Sequence, residues 1–373
     1  MAPERRKRIL TVDDSAVMRS LLRSVLEPAF EVVGNAADGE SALAAVEALR
    51  PDLVVLDVEM PVMDGLATLR KLRSLGHRLP VIMCSSLTRR GARVTIEALA
   101  SGASDYVAKP ESQSGPAAAR RALASELLPK IRALTVPAQP VSSRALRSLP
   151  PAAEMVAPAT AESISSAPSV VVVGVSTGGP AALDLLLPSF PRDFPLPILV
   201  VQHMPELFTR LLAERLSPRC LIPVKEAFEG APVRPGCIAI ARGNWHLETR
   251  SAGGAGQPPV LHLTQNPPEN HCRPAVDVLF RSAAAVYGAG VLAVVLTGMG
   301  SDGLDGAQLI RAQGGTVLAQ DQATSVIWGM PGAVVRAGLA QRVLPIQGIV
   351  PEILRLVSRA RVEHKPMSAA VML

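Results

Sequence analysis

Ser176 stands in Gly174-Val175-Ser176-Thr177-Gly178, directly after the β-branched run 170–173. A serine set on a glycine-flanked turn at a strand end exposes its hydroxyl, and such an elbow suits nucleophilic attack on a carbonyl. That chemistry needs a base, and the base needs an orienting acid. His203 follows the apolar run 198–201 in Gln202-His203-Met204-Pro205, which puts it on the same rim as Ser176. The plainer reading of His203 is an ordinary loop histidine. Its rivals are weaker: His77 in a loop, His262 in a strand and His364 in the tail, with His246 and His271 in polar loops near element ends. Asp302 lies in Thr297-Gly298-Met299-Gly300-Ser301-Asp302-Gly303, another glycine turn after an apolar run. It could orient the base or merely cap the following helix. The backbone amides of Thr177 and Met299 are candidates for an oxyanion hole. Glycine turns after strands also cradle phosphates, so the elbow alone is a modest signal.

A second group of reactive residues lies in the first third. Asp13-Asp14 follows the run 9–12, and Asp57 ends Val54-Val55-Leu56-Asp57. Ligands of an open parallel sheet bind beyond the carboxyl ends of its strands. Three carboxylates gathered there repel one another and suit a hard cation, for which octahedral Mg²⁺ is the natural choice. Ser85 and Lys109 each end or follow a further strand-like run, where a hydroxyl and an ammonium could hold phosphoryl oxygens on Asp57. Singly, these are a helix cap and a solvated lysine; together, at successive strand ends, they are a site.

Both groups require parallel sheets to position them. Strand-like runs at 9–12, 53–56, 81–83 and 106–107 alternate with helical stretches. They return at 170–173, 197–201, 237–241, 291–297 and 316–319, with helical segments at 181–187, 208–216, 275–286 and 303–313. The expected architecture is α/β in two domains: a flavodoxin-like (βα)₅ unit over 7–125 and a doubly wound, mostly parallel sheet over 169–358. A Pro/Ala/Ser-rich linker is expected over 126–168, although 117–134 could be a helix leading into it, and a loose tail over 359–373.

The 373 residues suffice for two cores, and 48% hydrophobic with 19% charged residues is a globular composition. No apolar run approaches the roughly 20 residues of a membrane span, and the start lacks a signal-peptide pattern, so a cytoplasmic location is expected without membrane insertion. Cys84, Cys220, Cys237 and Cys272 form no CxxC pair and read as reduced thiols. The net charge of +6 is spread along the chain, and aromatics are only 3%. No basic recognition helix or stacking platform is evident, which argues against nucleic-acid binding.

Two resemblances sharpen this reading. Residues 7–125, with Asp13-Asp14, Asp57, Met60-Pro61-Val62-Met63-Asp64-Gly65, Ser85 and Lys109, resemble the receiver domain of two-component response regulators. The resemblance implies that Asp57 accepts the phosphoryl group and that Asp14, Asp57 and the Glu59 backbone carbonyl ligate Mg²⁺, with Asp13 helping through water. It also implies that Lys109 contacts the phosphoryl group, while Ser85 and Tyr106 form the switch.

The segments 174–180 and 202–205, His271-Cys272-Arg273-Pro274-Ala275-Val276-Asp277 and 297–303 are similar to those of the CheB methylesterases of bacterial chemotaxis. That resemblance implies Ser176 as nucleophile, His203 as base, Asp302 as its orienter, and Thr177 and Met299 as oxyanion donors. It also implies hydrolysis of glutamyl methyl esters, and deamidation of glutamines, on chemotaxis receptors, with no cofactor for that step. A histidine kinase of the CheA type would be the phosphodonor, and a monomer is expected. The order Ser…His…Asp differs from the Ser…Asp…His of common α/β hydrolases, which points to another sheet carrying the same chemistry. The rival readings are a binding-only output domain and a small-molecule esterase.

Overall fold

The computed structural model describes residues 5–110, 115–135, 167–254 and 256–363. The first domain has strands β1 (Arg8–Val12), β2 (Glu31–Ala36), β3 (Leu53–Asp57), β4 (Val81–Ser85) and β5 (Asp105–Ala108). Helices α1 (Ala16–Leu26), α2 (Gly39–Leu49), α3 (Gly65–Ser74), α4 (Arg89–Ala100) and α5 (Pro116–Thr135) follow them in turn. The sheet is parallel in the order β2-β1-β3-β4-β5. β3 and β4 are buried along their whole length, which is why they read as unbroken apolar runs. β2 carries polar, half-exposed residues and gave no such signal.

Two expected boundaries meet helices. α5 continues to Thr135, ten residues past 125, because Leu127 and Ile131 pack into the core formed with Ile9, Leu53 and Ile82. This is the helix expected over 117–134; Pro129 lies inside it, and buried side chains on both flanks hold the helix through it. The Pro/Ala/Ser-rich stretch from 136 to 166 lies outside the described residues.

The second domain is built from β6 (Val170–Val175), β7 (Ile198–Gln202), β8 (Val224–Glu226), β9 (Ile238–Ile240), β10 (His246–Arg250), β11 (Val260–Thr264), β12 (Val291–Val295), β13 (Thr316–Gln320) and β14 (Arg342–Leu344). Its helices are α6 (Gly179–Leu186), α7 (Glu206–Leu216), α8 (Val276–Tyr287), α9 (Leu304–Ala312), α10 (Met330–Arg336) and α11 (Ile346–Glu363). Seven strands form a parallel sheet, β14-β13-β12-β6-β7-β9-β8, while β10 and β11 pair antiparallel beside it. α11 crosses 358 to end at Glu363, its Ile349, Ile353 and Leu356 buried. Among the described residues no helix is long and apolar enough to cross a membrane.

The chain enters the sheet at its middle, on β6, then runs outward through β7 before returning to β12 on the other side. Open α/β sheets bind ligands where the strand order reverses in this way. The two domains also share a core. One apolar cluster joins Ile96, Leu99 and Tyr106 of the first domain to Leu183, Phe208 and Leu211 of the second.

Candidate active site

Register decides what meets at the reversal point. Val175 pairs with Gln202 and Gly174 with Val295, so residues 176, 203 and 297 leave three adjacent strands at one level. Ser176 N donates to Thr297 O at 3.0 Å, and Gln202 Nε2 donates to Ser176 O at 3.0 Å, which clamps the serine from both sides. Gly178, at φ +77°, makes the left-handed turn into α6 that a branched side chain would strain.

His203 Nε2 lies 2.7 Å from Asp302 Oδ2. Nε2 therefore carries the proton and donates to the carboxylate, which leaves Nδ1 as the accepting nitrogen. Cys272 Sγ sits 3.4 Å from Nδ1, where it accepts from the ring once that nitrogen is protonated. Burial pulls the imidazole pKa down, but the Asp302 and Cys272 contacts outweigh it and push it up to about 9. Burial also disfavours the Asp302 carboxylate, yet His203 and two backbone amides hold it at about 2.

Those amides are Val276 N at 2.7 Å and Asp277 N at 3.0 Å, the first turn of α8. Asp302 thus caps α8 from a distant loop and does not cap α9, whose N-cap Gly303 has no side-chain partner. The helix N-terminus contributes partial positive charge to the same carboxylate.

Ser176, Thr177, His203, Cys272 and Met299 line one cavity of about 790 Å³. The Ser176 hydroxyl is not hydrogen-bonded to His203 or to any other described residue. Neither the Thr177 nor the Met299 backbone N–H has an acceptor among the described residues. Of the other histidines, His246 is buried at the start of β10, not in a loop. Its Nε2 donates to Pro267 O and its Nδ1 accepts from Ala275 N, so both nitrogens are spent. His271 is exposed on the cavity wall at φ +63°, while His77 and His262 pair with Glu47 and Glu229. His364 lies outside the described residues.

The first domain forms one wall of this cavity. Leu99, Asp105, Tyr106, Glu126 and Lys130 line it beside Ser176. Thr177 Oγ1 donates to Asp105 Oδ2 at 2.6 Å, and Lys130 lies 3.4 Å from Asp105 Oδ1 and 3.1 Å from Glu126 Oε1. The Tyr106 ring stacks on Phe208 of α7, centroids 4.6 Å apart.

At the carboxyl ends of β1 and β3, ligand oxygens of Asp13, Asp14 and Asp57 all lie within 4.8 Å of one another. Lys109 Nζ is 2.8 Å from Asp13 Oδ2 and 2.8 Å from Asp57 Oδ2. Burial, eased by Lys109, still pushes Asp57 up to about 6. Ser85 is buried at the end of β4, its Oγ on Ser86 O. Glu59 is exposed, and its backbone N–H points to Asp57 Oδ1 at 3.4 Å.

Residues 171–353 match the CheB methylesterase domain, and residues 9–117 match the response regulator receiver domain. A protein-glutamate methylesterase/protein-glutamine glutaminase of Nocardioides sp. is 50% identical, covering 97% of this chain and 98% of that protein. The chain belongs to the CheB methylesterase family. A Trichodesmium erythraeum protein of the same name is 46% identical over 93% of this chain and 98% of its own. The catalytic domain of the Thermotoga maritima CheB methylesterase, a crystal structure, is 44% identical, covering 52% of this chain and 98% of that one, with a TM-score of 0.49.

As a CheB methylesterase, then, the chain is a response regulator whose receiver domain precedes a hydrolase domain. Sequence reasoning missed several contacts in it. Cys272 carried only the motif it stands in, and nothing in the spacing linked it to His203. Asp105 and Lys130, 25 residues apart, gave no sign of meeting each other, nor Asp105 of meeting Thr177.

Proposed function

We propose that this CheB methylesterase hydrolyses γ-glutamyl methyl esters, and deamidates glutamines, on methyl-accepting chemotaxis receptors, under control of phosphorylation at Asp57. The observation that carries the reading is His203, which is paired with the buried Asp302 and shares a cavity with Ser176 and with the receiver residues Asp105 and Tyr106. His203 Nδ1 takes the Ser176 proton as Oγ attacks the ester carbonyl. The oxyanion forms against the free amides of Thr177 and Met299, each typically worth about 3 kcal/mol in such chemistry. The imidazolium then gives the proton to the leaving methoxide, methanol departs, and water hydrolyses the acyl-serine by the same route.

Control belongs to residues 7–125. The oxygen-only cluster of Asp13, Asp14 and Asp57, completed by the Glu59 carbonyl, suits Mg²⁺. When bound, the ion would offset the charge of the incoming phosphoryl group. Lys109 would hold a phosphoryl oxygen, and Ser85 and Tyr106 would report it. Because Tyr106 stacks on Phe208, a change at the switch loosens the domain that covers Ser176. A CheA-type histidine kinase is the phosphodonor in this scheme, and the cytoplasm is where it operates.

Mass spectrometry of a methylated receptor fragment, with and without acetyl phosphate, tests the reading. Demethylation by the wild type, stimulation by the donor, and no turnover by Ser176→Ala are expected. A Ser176→Ala protein that still demethylates, or faster turnover of a short-chain ester than of the receptor, would overturn it.

A further inference from the structure

Asp302 has a counterpart that the mechanism leaves unused. Asp277, on the first turn of α8, is 2% exposed, and its Oδ1 accepts from Gly306 N at 2.7 Å. Gly306 is the third residue of α9, so Asp277 caps α9 from α8. Asp302, in the loop leading into α9, caps α8 in return. Each helix therefore borrows its N-terminal acceptor from the other. Gly306 permits this closeness: a Cβ there would lie 2.4 Å from Phe280 Cβ.

Reciprocal capping draws two buried carboxylates together, and one amide joins them. Asn270 Nδ2 donates to Asp277 Oδ2 at 2.8 Å and to Asp302 Oδ1 at 2.9 Å. Both hydrogens of the amide are spent on carboxylates, so its orientation follows from the acceptors. The backbone asks for something further: Asn270 has φ +52°. Aspartate could meet that angle but has no donors, and longer amides fit it poorly. Asparagine satisfies both demands.

The loop that carries Asn270 is itself fixed. Glu269 and Cys272 exchange backbone hydrogen bonds at 3.0 and 2.8 Å, and Glu269 forms a two-point ion pair with Arg281 of α8 at 2.5 and 2.6 Å. One short loop thus touches both ends of the pair, Asn270 on Asp302 and Cys272 on His203 Nδ1.

We infer that Asn270 and Asp277 are positioning residues for ester hydrolysis, which hold the Asp302 carboxylate in line with His203 Nε2 through the reciprocal caps of α8 and α9. The inference rests on the proposed roles of His203 and Asp302. Without the Asn270 amide, Asp302 Oδ1 keeps one donor and faces Asp277 Oδ2 with nothing between them. The carboxylate then turns away from its neighbour, and His203 loses its alignment. Asn270 borders the Ser176 cavity, but both of its amide hydrogens are committed to the two carboxylates, so the loss is expected on kcat with KM nearly unchanged.

The test is a double-mutant cycle on the full chain. Asn270→Gly keeps the backbone angle and removes the amide. It is expected to lower kcat roughly 10-fold, equivalent to about 1.4 kcal/mol, with little change in KM. In an Asp302→Ala background the same change should cost less than about twofold, since its route of action is already gone. Asp277→Asn, which sets an NH₂ against the Asn270 NH₂, should reproduce the loss. The Nε2–H proton of His203, read by NMR, should move upfield in both single variants.

Equal losses with and without Asp302 would overturn the inference, as would an unmoved Nε2–H resonance. If Asp302→Ala alone leaves kcat intact, the triad reading has failed instead. The resonance then decides the inference by itself.

Discussion

At the scale of single residues, His203 sets a conflict between folding and chemistry. Its pKa stands near 9, above the roughly 6.5 of a free imidazole. The stabilising imidazolium–carboxylate pair is therefore complete below about 6.5 and is lost as pH rises through about 9. The proposed mechanism needs the opposite state, because a protonated Nδ1 cannot accept the Ser176 proton. In the unphosphorylated protein, kcat/KM for ester hydrolysis should climb about tenfold per pH unit and level off near 9. Asp302→Asn removes the largest partner that raises the imidazole, so its acid limb should move to lower pH, at a lower plateau. A pH–rate profile from 6 to 10 checks both. A wild-type limb already flat at pH 7 would show that Asp302 does not hold this imidazole near 9 in the working enzyme.

Among elements, α8 and α9 matter most, because Asp302 caps one of them and Asp277 the other. Phe280 is fully buried on α8, its Cβ close to Gly306. Phe280→Ala leaves a cavity at that crossing and should cost about 3–5 kcal/mol of stability, measured by urea unfolding of the full chain. A loss below about 1 kcal/mol would show that the crossing tolerates slack, against the packing argued here.

The same two helices mark the limit of what the sequence made legible. Their existence, the buried strands and the rim placement of Ser176, His203 and Asp302 were readable, since apolar runs followed by glycine turns are local signals. β2 was not readable because its exposed edge position tolerates Gly34 and Asn35. β10 and β11 pair antiparallel outside the main sheet, and their alternation is short. Asp302 capping α8 rather than α9 was beyond reach, because the capped helix starts 26 residues upstream of it. Contacts that join distant loops leave no period in the chain.

For the whole molecule, the receiver covers the cavity through apolar packing as well as through the Thr177–Asp105 bond. Leu211 of α7 is 4% exposed and faces Ile96 and Glu97 of α4 across the domain boundary. Leu211→Asp sets a charge in that seam opposite Glu97. Arg93 and Arg215 line the same seam and would ease the charge in part, but losing the apolar contact and burying a carboxylate still costs on the order of a few kcal/mol. The equilibrium should move to the open form without any phosphoryl group. Basal receptor demethylation is then expected to rise about 10-fold, and acetyl phosphate should add little more. Chelation by EDTA separates the two sites in the same assay. It should remove stimulation of the wild type, which depends on the Asp13–Asp14–Asp57 cluster, and leave the basal rate of both proteins untouched. A Leu211→Asp protein no faster than wild type would show that the receiver does not hold the cavity shut. Basal activity lost to EDTA would instead tie the ester chemistry to a metal, and the serine mechanism would have to be abandoned.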